Sequence, residues 1–347
     1  MKKHLFFVLV AFLATSLVGG GSSFAQGKEK TWTLRWSTDQ PEKDPVMIDG
    51  HLAYAKAIEE ATKGRVKVTV YPLQTLAKAA DAWDAVKTGV ADMVFLFTGL
   101  FPNQFDMLDS IALPFIAPNA QIASKTAWKL YEKYPEIQAQ SKDVKVLFVL
   151  TTDPYFFVTT KKQIKTIEDF KGIKIRMTGG PPTEMMKLLG GTPLTVPMAD
   201  AYLNLQKGVM DGMGVQANAI KAFRIYEVVK YYTIVPASCV IFMVMMNKKV
   251  WESMPPDIQQ AIISVSGEKR ASIYGSIFDA QMAGLPSFVK QAGYEMVSYT
   301  PPKKEIDRWI NIAGKPVWDK WIKTMEAKGY KNAPQILNET LEMVKVK

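Results

Sequence analysis

Residues 55–71 read AKAIEEATKGRVKVTVY. Leu52, Ala55, Ile58 and Glu59 follow helical spacing up to Thr62-Lys63-Gly64, where glycine supplies the left-handed stop that ends many helices. From Arg65 to Tyr71 the period changes to two, with Val66, Val68 and Val70 on one side, which is a strand pattern. Upstream, residues 31–37 alternate in the same way, with Trp32, Leu34 and Trp36 on one side. Downstream, residues 79–88 read as a helix ending at Gly89, and residues 92–97 as a short apolar strand. The order β-α-β-α-β predicts a mainly parallel sheet with helices on both faces, because parallel neighbours need crossovers long enough to hold a helix.

A second β-α-β region follows. Residues 145–150 are a strand, and residues 155–160 alternate less cleanly and read as a crossing between domains. IEDFKG (167–172) is a turn and IKIR (173–176) a strand. Residues 183–189 and 199–207 are helical and stop at Gly190-Gly191 and Gly208. Residues 211–215 read as a strand, 217–226 as a helix, and 240–247 as a strand returning to one of the sheets. Beyond Pro255-Pro256, residues 257–291 keep helical spacing, and residues 303–324 are amphipathic with Trp309, Trp318 and Trp321, a stripe that packing alone explains. The expected fold is α/β, with two α/β lobes, crossing strands and a long C-terminal helix spanning them. Lobe I covers 26–150 plus part of 236–347, and lobe II covers 151–235. Residues 236–347 supply the returning strand and helices packed on and across both lobes. Such a build leaves a cleft beyond the carboxyl ends of the strands, where open α/β sheets bind ligands.

The counts restrict the chemistry. The chain has 347 residues, a formal charge of +10, two histidines and one cysteine. A four-cysteine zinc site and an intrachain disulfide are excluded, and a Ser-His-Asp triad would have to use His51. Residues 1–25 read as a cleavable secretory signal peptide: Lys2 and Lys3, an apolar run over 5–18, then Ser23-Phe24-Ala25. A membrane anchor is the alternative, but the run is short against the roughly 20 residues of a span. Cleavage removes 25 of 347 residues and leaves 322, lowers the charge from +10 to +8 and leaves His51 as the only histidine. An exported chain so poor in histidine and cysteine favours a binding protein over a hydrolase, with no catalytic residues, no metal and no cofactor. Its basic residues cluster only in pairs such as Lys161-Lys162, which is a solvated surface and not a nucleic-acid site.

On spacing alone Arg176 has two readings: it pairs with an internal carboxylate, or it faces the cleft. Several segments together are more specific. They are KAIEEATKGRVKV (56–68) with Tyr71-Pro72, VKTGVADM (86–93), LPF (113–115), IEDFKGIKIR (167–176), YLNLQKG (202–208), MDG (210–212), Asn247 and WESMP (251–255). In order and spacing they resemble the DctP-type solute-binding receptors of TRAP transporters, the tripartite ATP-independent periplasmic type, over roughly residues 31–265. The resemblance implies a periplasmic binding protein-like fold whose lobes close on an organic acid by hinge motion. It also implies a periplasmic location, monomeric action, and small and large membrane permease subunits as partners. A receptor feeding a sensor fits the same residues. The arginine ending KGIKIR is the family's usual carboxylate anchor, here Arg176, and its planar guanidinium suits both carboxylate oxygens.

Departures from the family pattern narrow the ligand. In the sialic-acid-binding type a second arginine stands where this chain has Phe156. A glutamate stands at Phe97 and an asparagine at Val215. Trp36 and Ser37 occupy another cleft-facing position of the family. Losing these polar contacts argues against sialic acid and against a dicarboxylate needing two arginines. The expected ligand is a monocarboxylate with a flat or apolar body, such as an indole or phenyl acid, with a small 2-oxo acid as the alternative. Phe97, Phe156 and Trp36 would stack on it, with Tyr155 and Met198 lining the wall. Phe97 and Phe156 each have a second reading, in a domain core, and a one-residue slip would exchange Phe156 for Tyr155. Gln216 and Asn218 either touch the ligand or cap the next helix. Asp153 is a candidate for an amine if the ligand is an amino acid. His51 reads as a cleft-rim or surface residue, and Cys239 as a small buried apolar one.

Overall fold

Eleven strands lie among the described residues, 30–345, of the computed structural model: β1 (Trp32–Ser37), β2 (Val66–Tyr71), β3 (Met93–Phe97), β4 (Val144–Thr151), β5 (Phe156–Thr159), β6 (Lys174–Arg176), β7 (Thr192–Leu194), β8 (Gly212–Val215), β9 (Tyr231–Thr233), β10 (Ile241–Asn247) and β11 (Val297–Tyr299). The segment read as a signal peptide lies outside these residues.

The strands form two sheets. The first has the order β2-β1-β3-β10-β4, and β1 is parallel to both β2 and β3 as the opening pattern predicts. It is less parallel than expected, because β10 inserts antiparallel between β3 and β4. The second has the order β11-β9-β5-β8-β6-β7, with β6 parallel to β7 and β8, and β5 antiparallel to β8 and β9. After β10 the chain reaches the second sheet again at β11; its two earlier passages between sheets follow β4 and β9. These crossings bond to each other: Ala237 N–H donates to Tyr155 O at 2.9 Å and Thr152 N–H to Val240 O at 3.0 Å.

Local chemistry explains the boundaries. The helix Ala82–Thr88 ends at Gly89, whose φ of 83° is left-handed. Asn247 at the end of β10 donates to the freed Val86 carbonyl at 2.7 Å and caps the next helix through Val250 N–H at 3.0 Å. Thr166 and Asp169 form a capping box around the turn Ile167–Phe170, which aims β6 at the cleft.

Two apolar clusters, one of them holding the first sheet and the other centred on the second, are bridged by the helix Gly267–Gln291. At 25 residues it runs for about 37 Å. Tyr274 and Phe278 pack in the first cluster, Leu285 and Val289 in the second. The run expected over 257–291 is broken at Gly267, with φ of 65°, where the helix Pro256–Ser264 has ended. The expected helix over 217–226 is shorter, Ala217–Ala222. The tryptophan stripe is packed: Trp309 and Trp321 are buried, and each such indole contributes roughly 4–6 kcal/mol of apolar burial. Trp318 and Trp321 donate to the Pro114 and Asp106 carbonyls at 2.9 and 3.0 Å, tying Lys315–Ala327 to the first lobe.

Candidate ligand-binding site

Arg176 ends β6 at the cleft edge of the second sheet. Its backbone pairs with Met213 on β8 and Leu194 on β7. Its Nε donates to Val196 O at 2.9 Å. No carboxylate of the described residues pairs with the guanidinium; burial pushes its pKa down, and only the nearby Tyr155 phenol opposes that. Arginine stays charged under such a shift, so a half-buried cation stands here without an anion. The other reading from spacing, pairing with an internal carboxylate, finds no partner among the described residues.

Cross-strand register decides what surrounds it. Val158, Met213 and Arg176 form one row, and Phe156 opposite Val215 forms the next row on the same face. Phe156 and Val215 are each 1% exposed, and the Phe156 ring packs 6.3 Å from Tyr232 inside the second cluster. Thus the structure packs Phe156 and Val215 in the core, the other reading of Phe156; Phe156 also borders a separate cavity with Asp153, Pro236 and Met282, apart from the one that Tyr155 lines. Met198 is half-buried and packs against the same cluster.

Tyr155 and Phe97 go elsewhere. Both line a cavity of about 260 Å³ between the lobes, with Phe101, Phe105 and Asp109 from the first lobe and Thr178 from the second. Burial pushes the Tyr155 phenol up to about 12, with the Thr178 side chain and Arg176 nearby opposing that. Phe97 lies over Gly99, where a Cβ would sit 2.4 Å from its ring, so this wall needs glycine. Cys239 lines the cavity, is buried as expected, and donates to Ile111 O at 3.6 Å. Nothing in the sequence of 98–109 marked that loop as cavity wall.

Trp36 and Ser37 do not reach the cleft. They are 0% and 4% exposed. Strand β1 sits inside its sheet, and the helical residues 46–61 cover its inner face. Trp36 packs 4.6 Å from the His51 ring and 5.8 Å from Tyr54, and the Ser37 hydroxyl donates to Ala77 O at 3.2 Å. The rim position expected for His51 is also corrected. The ring is fully buried between Trp36, Phe95 and Tyr274, within 3.1 Å of Thr38 Oγ1 and 2.7 Å of the Tyr274 hydroxyl. Burial lowers its pKa to about 3, so the imidazole is neutral.

Gln216 takes the N-cap position of Ala217–Ala222 but its side chain makes no cap bond. Asp153 Oδ2 does so instead, accepting Ala217 N–H at 2.9 Å. Asn218 Oδ1 is buried without a partner. Among the described residues no group of three metal-ligating side chains occurs, and no helix is long and apolar enough to cross a membrane.

Comparison with known proteins agrees with this architecture. The chain is 23% identical over 312 residues to the 2,3-diketo-L-gulonate-binding periplasmic protein YiaO of Escherichia coli, spanning 88% of this chain and 92% of that one. It superposes with a TRAP periplasmic solute-binding protein of Bordetella bronchiseptica, seen with bound (R)- and (S)-mandelate, at a TM-score of 0.79, 26% identity, 90% of this chain and 98% of that one. A marine metagenome TRAP solute-binding protein with 3-hydroxybenzoate gives a TM-score of 0.82 at 24% identity, covering 91% and 98%. Residues 36–324 match the DctP family profile, and the chain belongs to this family, the bacterial extracellular solute-binding proteins of family 7.

Proposed function

We infer that this protein is the exported, periplasmic receptor of a TRAP transporter. It takes an aryl monocarboxylate into the interlobe cleft, closes on it, and passes it unchanged to the membrane permease subunits. The observation that carries the reading is the Arg176 guanidinium, without a carboxylate partner among the described residues, near Tyr155, which itself lines an aromatic-walled cavity. Arg176 would hold the carboxylate; Tyr155 and Phe97 would face the ring. A volume of about 260 Å³ lies at the low end of ligand pockets, which favours a single ring over a sugar acid. The mandelate-binding relative supports an aryl acid, and the relative named for diketogulonate marks the competing class. The same small volume favours a branched 2-oxo acid as second reading.

A thermal-shift screen of the mature chain against aryl acids, 2-oxo acids, dicarboxylates and sugar acids tests this. A ligand at 100 times its Kd should stabilise by about 2.7 kcal/mol. Tight binding of sugar acids or C4-dicarboxylates, with aryl acids inert, would sink the reading. Failure of the lobes to compact on ligand in small-angle scattering would contradict the hinge. A gene pair for small and large membrane subunits beside this one would favour a permease over a sensor.

A further inference from the structure

The turn Leu108–Ile111 carries Asp109 into the wall of the interlobe cavity. Its neighbour Asp106 also lines that wall but is engaged. The Asp106 carboxylate accepts Asn103 N–H at 3.0 Å and pairs with Lys328, which Asn103 Oδ1 also holds at 2.9 Å. The Asp109 carboxylate receives no hydrogen bond or ion pair from the described residues. Burial and the Asp106 charge push it up to about 7, with only the distant Lys328 opposing. Cys239, the other titratable group facing it, has its thiol committed to Ile111 O.

Tyr155, Cys239 and Asp109 line the cavity, and Arg176 lies near Tyr155, outside the lining. Arg176 neighbours Tyr155, Tyr155 neighbours Cys239, and Cys239 neighbours Asp109. A cation without an anion thus stands near Tyr155, and an acceptor without a donor lines the same cavity as the Tyr155 and Phe97 rings. A half-buried acceptor lacking a donor is costly, and a ligand that brings one recovers that cost. We propose that Asp109 accepts a hydrogen bond from a hydroxyl on the ligand's ring, which makes a ring-hydroxylated aryl acid the preferred ligand class. The inference rests on the aryl-acid reading above.

Titration calorimetry of the mature protein tests it with phenylacetate, its ring-hydroxylated isomers and their methyl ethers. One hydroxylated isomer should bind about tenfold or more tighter than phenylacetate, and its methyl ether should lose that gain. In Asp109→Ala the hydroxylated-to-plain affinity ratio should fall to within about twofold of one. Arg176→Ala should weaken both ligands by similar factors. Equal binding of plain and hydroxylated acids, or a hydroxyl gain that survives Asp109→Ala, overturns the assignment. Should that variant fail to fold, the methyl-ether comparison on the unaltered protein decides. Aryl acids that bind without a hydroxyl preference sink only this inference. Binding of another carboxylate class with aryl acids inert sinks the ligand reading and this inference together.

Discussion

Tyr155 and Phe156 are consecutive buried residues that pack in different cores: the Tyr155 ring joins the first cluster and lines the interlobe cavity, while the Phe156 ring lies 6.3 Å from Tyr232 within the second. Substitution should separate them. Phe156→Ala should cost about 3–5 kcal/mol in urea unfolding, the usual toll of a buried phenylalanine. Tyr155→Ala should also lower stability, because the ring is buried, and should in addition cost about tenfold in aryl-acid affinity, which Phe156→Ala should not. A Phe156→Ala protein with an unchanged unfolding midpoint would contradict the placement.

The same neighbourhood has a pH signature. Asp153 is buried at the first crossing, and burial, with Asp279 nearby, pushes its carboxyl up to about 7 against the Ala217 N–H and Lys221. The unfolded chain titrates near 3.9, so the native state holds this proton more tightly. Its contribution is therefore fully present below about pH 4 and is lost as pH rises through about 7. His51 acts in the other sense. With a folded pKa of about 3 it favours the native state above about pH 6.5, and that stability is lost as pH falls towards 3. Asp153→Asn keeps an acceptor for Ala217. It should raise the melting temperature at pH 8, by an amount that shrinks towards pH 4. A difference independent of pH would refute the assignment.

Gly99→Ala probes the aromatic wall. Its Cβ would stand 2.4 Å from the Phe97 ring, so the ring must swing aside. Aryl-acid affinity should drop by about tenfold or more, while the far-ultraviolet circular dichroism stays that of the parent. An unaltered affinity would mean Phe97 does not shape the ligand's seat.

Much of this was legible because its causes are local. Gly64 and Gly89 end helices through their own conformation, and IEDFKGIKIR encodes a capped turn followed by a strand, which delivers Arg176 to the sheet edge. What was not legible depends on distant partners. Met246 pairs with both Met93 and Lys145, so the antiparallel insertion of β10 joins strands about a hundred or more residues apart. Alternation gave Trp36 a side but not a cover, which comes from His51 and Tyr54 within residues 46–61, with Tyr274 of the long helix packed on His51. Whether Tyr155 or Phe156 meets the cavity is decided by register with Val215 on β8. Asp109 belongs to a loop without periodicity or motif, and only the fold brings it near Cys239.

The central claim is that the Arg176 guanidinium, without a carboxylate partner among the described residues, holds the ligand's carboxylate. The most direct measurement is titration calorimetry of an aryl acid against the parent protein, Arg176→Lys and Arg176→Ala, with each variant's folding checked by its melting temperature. Loss of the guanidinium should weaken binding by about 2–5 kcal/mol, roughly 30-fold to several thousand-fold. Lysine should restore part of it, since it keeps the charge but not the planar fork. Binding of the acid to a folded Arg176→Ala protein with the parent's affinity would contradict the account.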